Sequence, residues 1–366
     1  MMFSQFFKNA IICGVFLFTA MLQNAHSETN AITIRVDHAG RRLEGKPLNW
    51  TKQQILLLCR DGYLWEFAAD QASGYKKISS EFEPFSRRDQ TKLLKAEFGH
   101  QFDVTTTTHF VIMHPKGQKT KWTNRFEGLY HSFSHYFNVR GFDAKDPEFL
   151  MIATIYPTKE QFQKQAFMEG ANISDNVLGY YSPRTNRILL YDVTTKAGGQ
   201  SWSTNADTII HEATHQTAFN IGLHNRFGEN PRWVVEGLGV MFEMRGVWHS
   251  KKYPFLVERI HRQQLVNFRN YREGYRKKDA LADIIQSDRI FGLNPFGAYS
   301  EAWALTFYLA EKHPQKYIQY ISKIAERKQF TKYTAPERLR DFTEVFGDNL
   351  PLLDSQFLRY IGSLPH

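Results

Sequence analysis

STNADTIIHEATHQTAFNIGLHNRFGENPRWVVEGLGVMFE, residues 203–243, contains a His-Glu-x-x-His run (His211, Glu212, His215) and, downstream, a Trp-Val-Val-Glu-Gly run whose carboxylate is Glu236. Thr204 or Asn205 can cap a helix through the first run, and Gly222, a residue tolerant of positive φ, ends it. His211 and His215 are four apart, so on a helix they lie one turn above each other on one face and can share one ion. Ile210, Ala213, Thr217 and Ile221 fall on another stripe, which the helix can bury while the imidazoles face a cleft. Glu212 sits between the two faces, where it can hold a water on the ion without ligating it. That is the general-base position of a zinc-dependent hydrolase.

Two imidazoles leave a catalytic zinc one protein ligand short, since such sites carry three protein ligands and one open position. Glu236 is the best third candidate. The segment GLHNRFGEN has turn composition, and Asn230-Pro231 predicts a helix start with Asn as cap and Pro in the first turn. A second helix from Pro231 to Met244 would run back beside the first and present Glu236 and Glu243. Gly237 and Gly239 lower its helix propensity, a cost explained if it passes close to the first helix and its metal.

HEATH followed by WVVEG resembles the gluzincin clan of metallopeptidases, the thermolysin-like zincins whose third ligand is a Glu on the next helix. More narrowly, HFVIMH, ATIYPTKEQF, LGYYSPRTNRILLYD, HEATHQ, WVVEGLG and YSEAWALTFYL, in this order from His109 to about Tyr308, resemble an uncharacterised, mostly secreted bacterial family assigned to that clan. The resemblance covers somewhat over half of the chain. It implies one Zn2+ on His211, His215 and Glu236, with Glu212 as base, and it implies no substrate. A metzincin would need His six residues after His215, where Ile221 stands; His224 reads as a loop residue.

The 366 residues, 42% hydrophobic and 15% aromatic without a low-complexity tract, are ample for a core and predict two folded parts. Lys8, the apolar run Ala10 to Leu22, and the small residues Ala25 and Ser27 read as a signal peptide, residues 1–27, removed on export to the periplasm or the outside. No later segment is apolar enough to span a membrane. Cys59 alone then remains, which excludes an internal disulfide. The net charge of +9 is spread along the chain. It reads as a solvated surface, with weak attraction to anionic cell-envelope polymers, and no basic-aromatic motif argues for nucleic acid. Oligomeric state leaves no trace in the sequence.

Residues 28–80 read as a small β-rich module: AITIRV, ILLLC, a turn at Asp61-Gly62, and YLWEF. Residues 81–366 read as an α+β zincin-like domain, a small mixed sheet with the active-site helix above a helical lower half. Its elements are a helix RRDQTKLLKAEF, one strand VTTTTHFVIMH, a helix from Lys121 to Asn138 with an aromatic stripe, a strand LMIATIYP, a helix Lys159 to Glu169, and a hairpin LGYYSPRTNRILLYD. In the resembled clan an edge strand just before the metal helix pairs with extended substrate, which points to Asn186–Asp192 and brings Tyr180, Tyr181 and Arg184 near it. VTTKAGGQSW reads as a linker able to flex over the cleft. A long charged helix is expected from His249 to Lys278, its cations a solvated face.

An oxyanion needs a donor opposite the metal, and Tyr299, at the start of the helix SEAWALTFYLAEKH, is the first choice. Glu243 and Glu301 are candidates to orient the imidazoles. The chain is therefore expected to be an exported zinc metallopeptidase acting on peptide or protein. Three alternatives stay open: a zinc-dependent cell-wall amidase, an inactive peptidase-fold binding protein, and a scaffold with a structural metal.

Overall fold

Short alternating strands build the N-terminal part: β1 (Thr33–His38), β2 (Arg41–Trp50), β3 (Ile55–Cys59), β4 (Leu64–Phe67) and β5 (Ala72–Ser79) form an antiparallel sheet in the order β4-β3-β2-β1-β5. The computed structural model describes residues 32–365 apart from 172, 174, 176 and 193–201, and the backbone alone at 120, 121 and 202–206. The signal peptide and the linker up to residue 201 lie outside the described residues; the helix that carries His211 begins at Trp202, so the cap candidates Thr204 and Asn205 stand inside it and neither caps it. The chain divides into two units, one up to Gln90 and one from Thr91.

In the first unit, Ile34, Val36, Leu43, Leu57 and Phe67 pack together as its core. β3 and β4 pair across the Asp61-Gly62 turn, with Leu58 opposite Leu64 and Gly62 at φ 84°. β2 and β5 carry little strand signal, because RRLEGKPLNW and ASGYKKIS have charges, glycine and proline in place of the β-branched residues that mark a strand.

Helix α1 (Arg87–Phe98) straddles the division. The second unit is a five-stranded mixed sheet, β6 (Phe102–Thr106), β7 (Phe110–Pro115), β8 (Met151–Tyr156), β9 (Gly179–Ser182) and β10 (Arg187–Tyr191), in the order β6-β7-β8-β10-β9. The inner strands β7, β8 and β10 are parallel and the two outer pairings antiparallel. VTTTTHFVIMH is thus two strands, not one. It reverses at Thr107–His109, where Thr107 Oγ1 accepts from the Phe110 N–H at 3.0 Å. Residues 186–192 are not an edge either, since β10 pairs on both sides; the edge is β9. The continuous apolar run ILLY is what a strand buried on both faces requires.

The period of two divides the sheet. Phe110, Ile112, Met151 and Ile188 pack with Phe126, Phe133 and Phe137 of α2 (Lys119–Asn138), and Met113, Tyr156 and Leu189 pack with Phe162 of α3 (Lys159–Met168). The chain then continues as α4 (Trp202–Asn220), α5 (Arg232–Phe242), α6 (Arg245–Trp248), α7 (Arg262–Gly274), α8 (Ala280–Gln286), α9 (Ile290–Leu293), α10 (Pro295–Lys312), α11 (Pro314–Ala325), α12 (Ala335–Phe346) and α13 (Leu350–Gly362). The protein is therefore mixed α+β, with two sheets followed by a helical C-terminal part.

The long helix expected over 249–278 is absent: α7 begins only at Arg262, after a single 3-10 turn at Leu256–Glu258. Two of its cations are held in ion pairs and do not form a free solvated face. Arg259 pairs with Glu311 at 2.8 Å, and the buried Arg276 pairs with Glu301 and Asp354 at 2.8 and 2.6 Å. Among the described residues no helix is long and apolar enough to cross a membrane.

Candidate metal centre

α4 carries His211 and His215 on one face, and their Nε2 atoms lie 2.9 Å apart. Glu236 Oε2, from α5, is 3.5 Å from the first and 3.7 Å from the second. A point equidistant from all three atoms lies about 2.0 Å from each, the length of a zinc–ligand bond.

The loop between the helices sets this convergence. Gly222, at φ 83°, ends α4. Asn230 does not cap α5: its Oδ1 accepts from the Asn225 N–H at 3.1 Å, and its Nδ2 donates to the carbonyls of Asn225 and Gly228. The free N–H of Arg232, first in α5, instead donates to Asp288 Oδ1 at 2.9 Å, an anion at the positive end of the helix.

The two glycines of α5 serve different neighbours. A Cβ on Gly239 would lie 2.8 and 2.9 Å from the Cε1 atoms of His211 and His215, so α5 can approach the imidazoles only without a side chain there. A Cβ on Gly237 would strike Ala302 O and Thr306 Oγ1 of α10. Close passage to the metal helix thus accounts for Gly239, and close passage to α10 for Gly237.

Behind the ligands, His211 Nδ1 donates to Glu243 Oε1 at 2.8 Å, and Glu243 Oε2 accepts from His261 Nε2 at 3.0 Å. His261 Nδ1 accepts the Gln264 N–H, so the proton of its neutral ring sits on Nε2 and points at Glu243. Burial opposes ionisation of Glu243, but the hydrogen bonds from His211 and His261 prevail and hold its carboxyl at about 2. Glu236 is likewise buried, which opposes its charge, but the two imidazoles beside it keep its carboxyl well below the carboxylate range. Burial disfavours a charged His211, yet Glu236 and Glu243 hold its proton well above the usual imidazole range. A field that retains a proton in this way favours other cations at the same place. Glu301 takes no part. It is wholly buried beside Arg276, because α10 points it away from the imidazoles into the helical core.

Glu212 is buried, which raises its pKa, and its Oε2 accepts the Tyr181 N–H at 2.7 Å. With both imidazoles, Glu236, Tyr180 and Tyr299 it lines a cavity of about 770 Å³. Tyr299 is pushed up to about 12 by burial and by Glu236. Its hydroxyl accepts from an Arg232 terminal nitrogen at 3.2 Å, while Arg232 Nε donates to Glu236 Oε1 at 3.4 Å. Arg184 lies in the turn between β9 and β10.

Sequence reasoning missed Arg232, although it stands four residues before Glu236 on the same helical face, a spacing that could have found it. His261 had no such signal, since only the fold brings it to Glu243. His224 lies in the loop between α4 and α5, as the sequence suggests, but it is not a surface residue. It is 2% exposed, edge-on to Phe219, and burial pulls its pKa down to about 3. Two triads of described residues could hold a metal ion, His211–His215–Glu236 and a second with no motif in the sequence, His109–Glu127–His131.

No curated protein matches the chain. A domain described as "Protein of unknown function (DUF1570)" covers residues 205–331, a span that includes His211, Glu212, His215, Glu236, Glu243 and Tyr299.

Proposed function

We propose that the protein is an exported zinc-dependent hydrolase of peptide bonds. The observation that carries this reading is the triangle of His211 Nε2, His215 Nε2 and Glu236 Oε2 on the wall of an open cavity, with Glu212 beside it. Two imidazoles and one carboxylate are the donor set of a hydrolytic zinc, and the bare Cα of Gly239 leaves room for the rings that would hold it. Bound zinc would supply Lewis acidity, making a water acidic and polarising a carbonyl.

The protein's own groups supply the rest. Glu212, with Oε2 held by Tyr181, takes the proton of the attacking water and delivers it to the leaving amine. The Tyr299 hydroxyl, steadied by Arg232, donates to the developing oxyanion. β9 is a sheet edge beside this cavity, and an edge recognises an extended main chain without requiring particular side chains, which favours peptide as substrate. Export to the periplasm or the outside rests on residues 1–27.

The test is metal content together with cleavage of a peptide library. Glu212→Gln should keep its zinc and lose about 10²- to 10⁴-fold in rate. Zinc retained with no cleavage by either protein would favour a binding protein or a cell-wall amide as substrate. No zinc in the wild type would end the proposal.

A further inference from the structure

His109 stands just before β7, and Glu127 and His131 lie one turn apart on α2. Glu127 Oε1 is 2.6 Å from His109 Nδ1 and 3.2 Å from His131 Nε2, and one donor atom from each residue lies within 4.8 Å of the other two. We propose that these three residues form a second metal site, separate from the His211 centre and specific for a divalent transition ion of the zinc, nickel or copper class.

Two of the donors are held in place before any ion arrives. The Glu127 carboxylate accepts the His109 N–H at 3.2 Å and a hydrogen bond from the Thr107 hydroxyl, so the β6–β7 turn is moored to it. The His109 ring lies against Tyr130, with centroids 3.7 Å apart and planes 26° from parallel. This clamp accounts for Glu127 and His109 as parts of a turn. The third group makes a donor set: His131, its side chain 65% exposed, directs Nε2 at the same oxygen and stands edge-on to His109 at 5.6 Å.

Donor chemistry names the ligand. Two imidazoles and one carboxylate suit zinc, nickel and copper, whereas magnesium and calcium take oxygen donors. With the proton of its neutral ring on Nε2, His109 offers Nδ1 as a ligand, and the ion takes the place between Nδ1 and Glu127 that the Nδ1 proton otherwise holds. His131 closes the site from outside and water fills the remaining positions. The ion then ties the β6–β7 turn to α2, so binding stabilises the folded chain.

The experiment titrates Zn2+ and Ni2+ into the full-length protein, with stoichiometry read by calorimetry and unfolding temperature followed in parallel. In His211→Ala/His215→Ala, where the first centre is removed, one ion per chain should still bind and raise the unfolding temperature. Adding His131→Ala should weaken that binding by about tenfold or more. In the wild-type background, His131→Ala should take the count from two to one, a comparison that holds even if the double variant folds poorly. A single ion bound identically by wild type and His131→Ala would overturn the site, whatever becomes of the first centre.

Discussion

The backbone N–H of Tyr181 donates to Glu212 Oε2 at 2.7 Å, and this bond joins the edge of the sheet to the helix that carries both imidazoles. β9 is paired only with β10, so this N–H faces outward, and the protein's own carboxylate uses a donor that an edge strand normally leaves open.

This donor should therefore tune the base. Burial raises the Glu212 pKa and the Tyr181 N–H lowers it, so losing the N–H raises it further. Tyr181→Pro removes the donor without touching the ladder to β10, and Tyr181→Ala keeps it while losing the same ring. Under the hydrolase reading Glu212 must be ionised, so the acid limb of kcat/KM should lie at higher pH in the Pro variant than in the Ala variant. Coincident acid limbs would separate Glu212 from the rate.

Gly239→Ala and Gly237→Ala should fail differently. The Gly239 methyl would press on both imidazoles, so zinc content should fall while the far side of α5 stays packed. The Gly237 methyl would meet α10 backbone instead, so stability should fall by about 1–3 kcal/mol with the metal centre intact. Chelator competition and denaturant unfolding on both variants make the comparison. Equal zinc retention in the two would mean that α5 can shift away from α4.

What could be read from the chain follows how local each interaction is. The four-residue spacing of His211 and His215, and the Glu236 helix beyond a turn, depend on helical geometry and local turn residues, and both are visible in sequence. The start of α5 at Pro231 is legible to within one residue, but the capping role given to Asn230 is not met, because the first N–H of α5 is met by Asp288, 56 residues away, while the Asn230 amide bonds inside the loop. The edge strand was misplaced because β9 and β10 come from the same hairpin, and only the pairing of β10 with β8 decides which lies inside. Glu301 and Glu243 look alike as helical glutamates. Arg276 claims the first and His261 fixes the second, and neither partner is near in sequence.

His261 should act as a positioning residue. Its Nε2–H holds Glu243, which orients the His211 ring, so His261→Ala should weaken zinc binding by about 10- to 100-fold. His261→Gln, which can still donate, should recover part of that loss. Unchanged zinc affinity in the Ala variant, read by chelator competition, would place His261 outside the metal's support.

Arg276 should matter for folding alone. Its side chain is 4% exposed and compensates Glu301, which is fully buried, and Asp354. Removing one partner of a buried ion pair strands the other, so Arg276→Met should cost about 3–5 kcal/mol. Arg276→Met/Glu301→Gln should recover part of it, since the deepest charge is then gone. Additive losses in the double variant, measured by urea unfolding, would show that the two side chains do not act as a pair.

His224 should give the fold an acid-sensitive term. Its ring is buried, its Nε2 meets no hydrogen-bond partner among the described residues, and burial first, with His215 second, pulls its pKa down to about 3. An unfolded imidazole titrates near about 6.5, so below that pH the unfolded chain binds a proton that the folded chain refuses. The contribution is therefore whole above the unfolded pKa and is lost progressively as pH falls toward the folded value. His224→Leu keeps an apolar group beside Phe219 and removes the titration. With chelator present, so that metal release cannot differ between the proteins, wild-type unfolding temperature should fall more steeply than that of His224→Leu from about pH 7 to about pH 4. Parallel curves would show that water or a shifted loop already accommodates the charged ring.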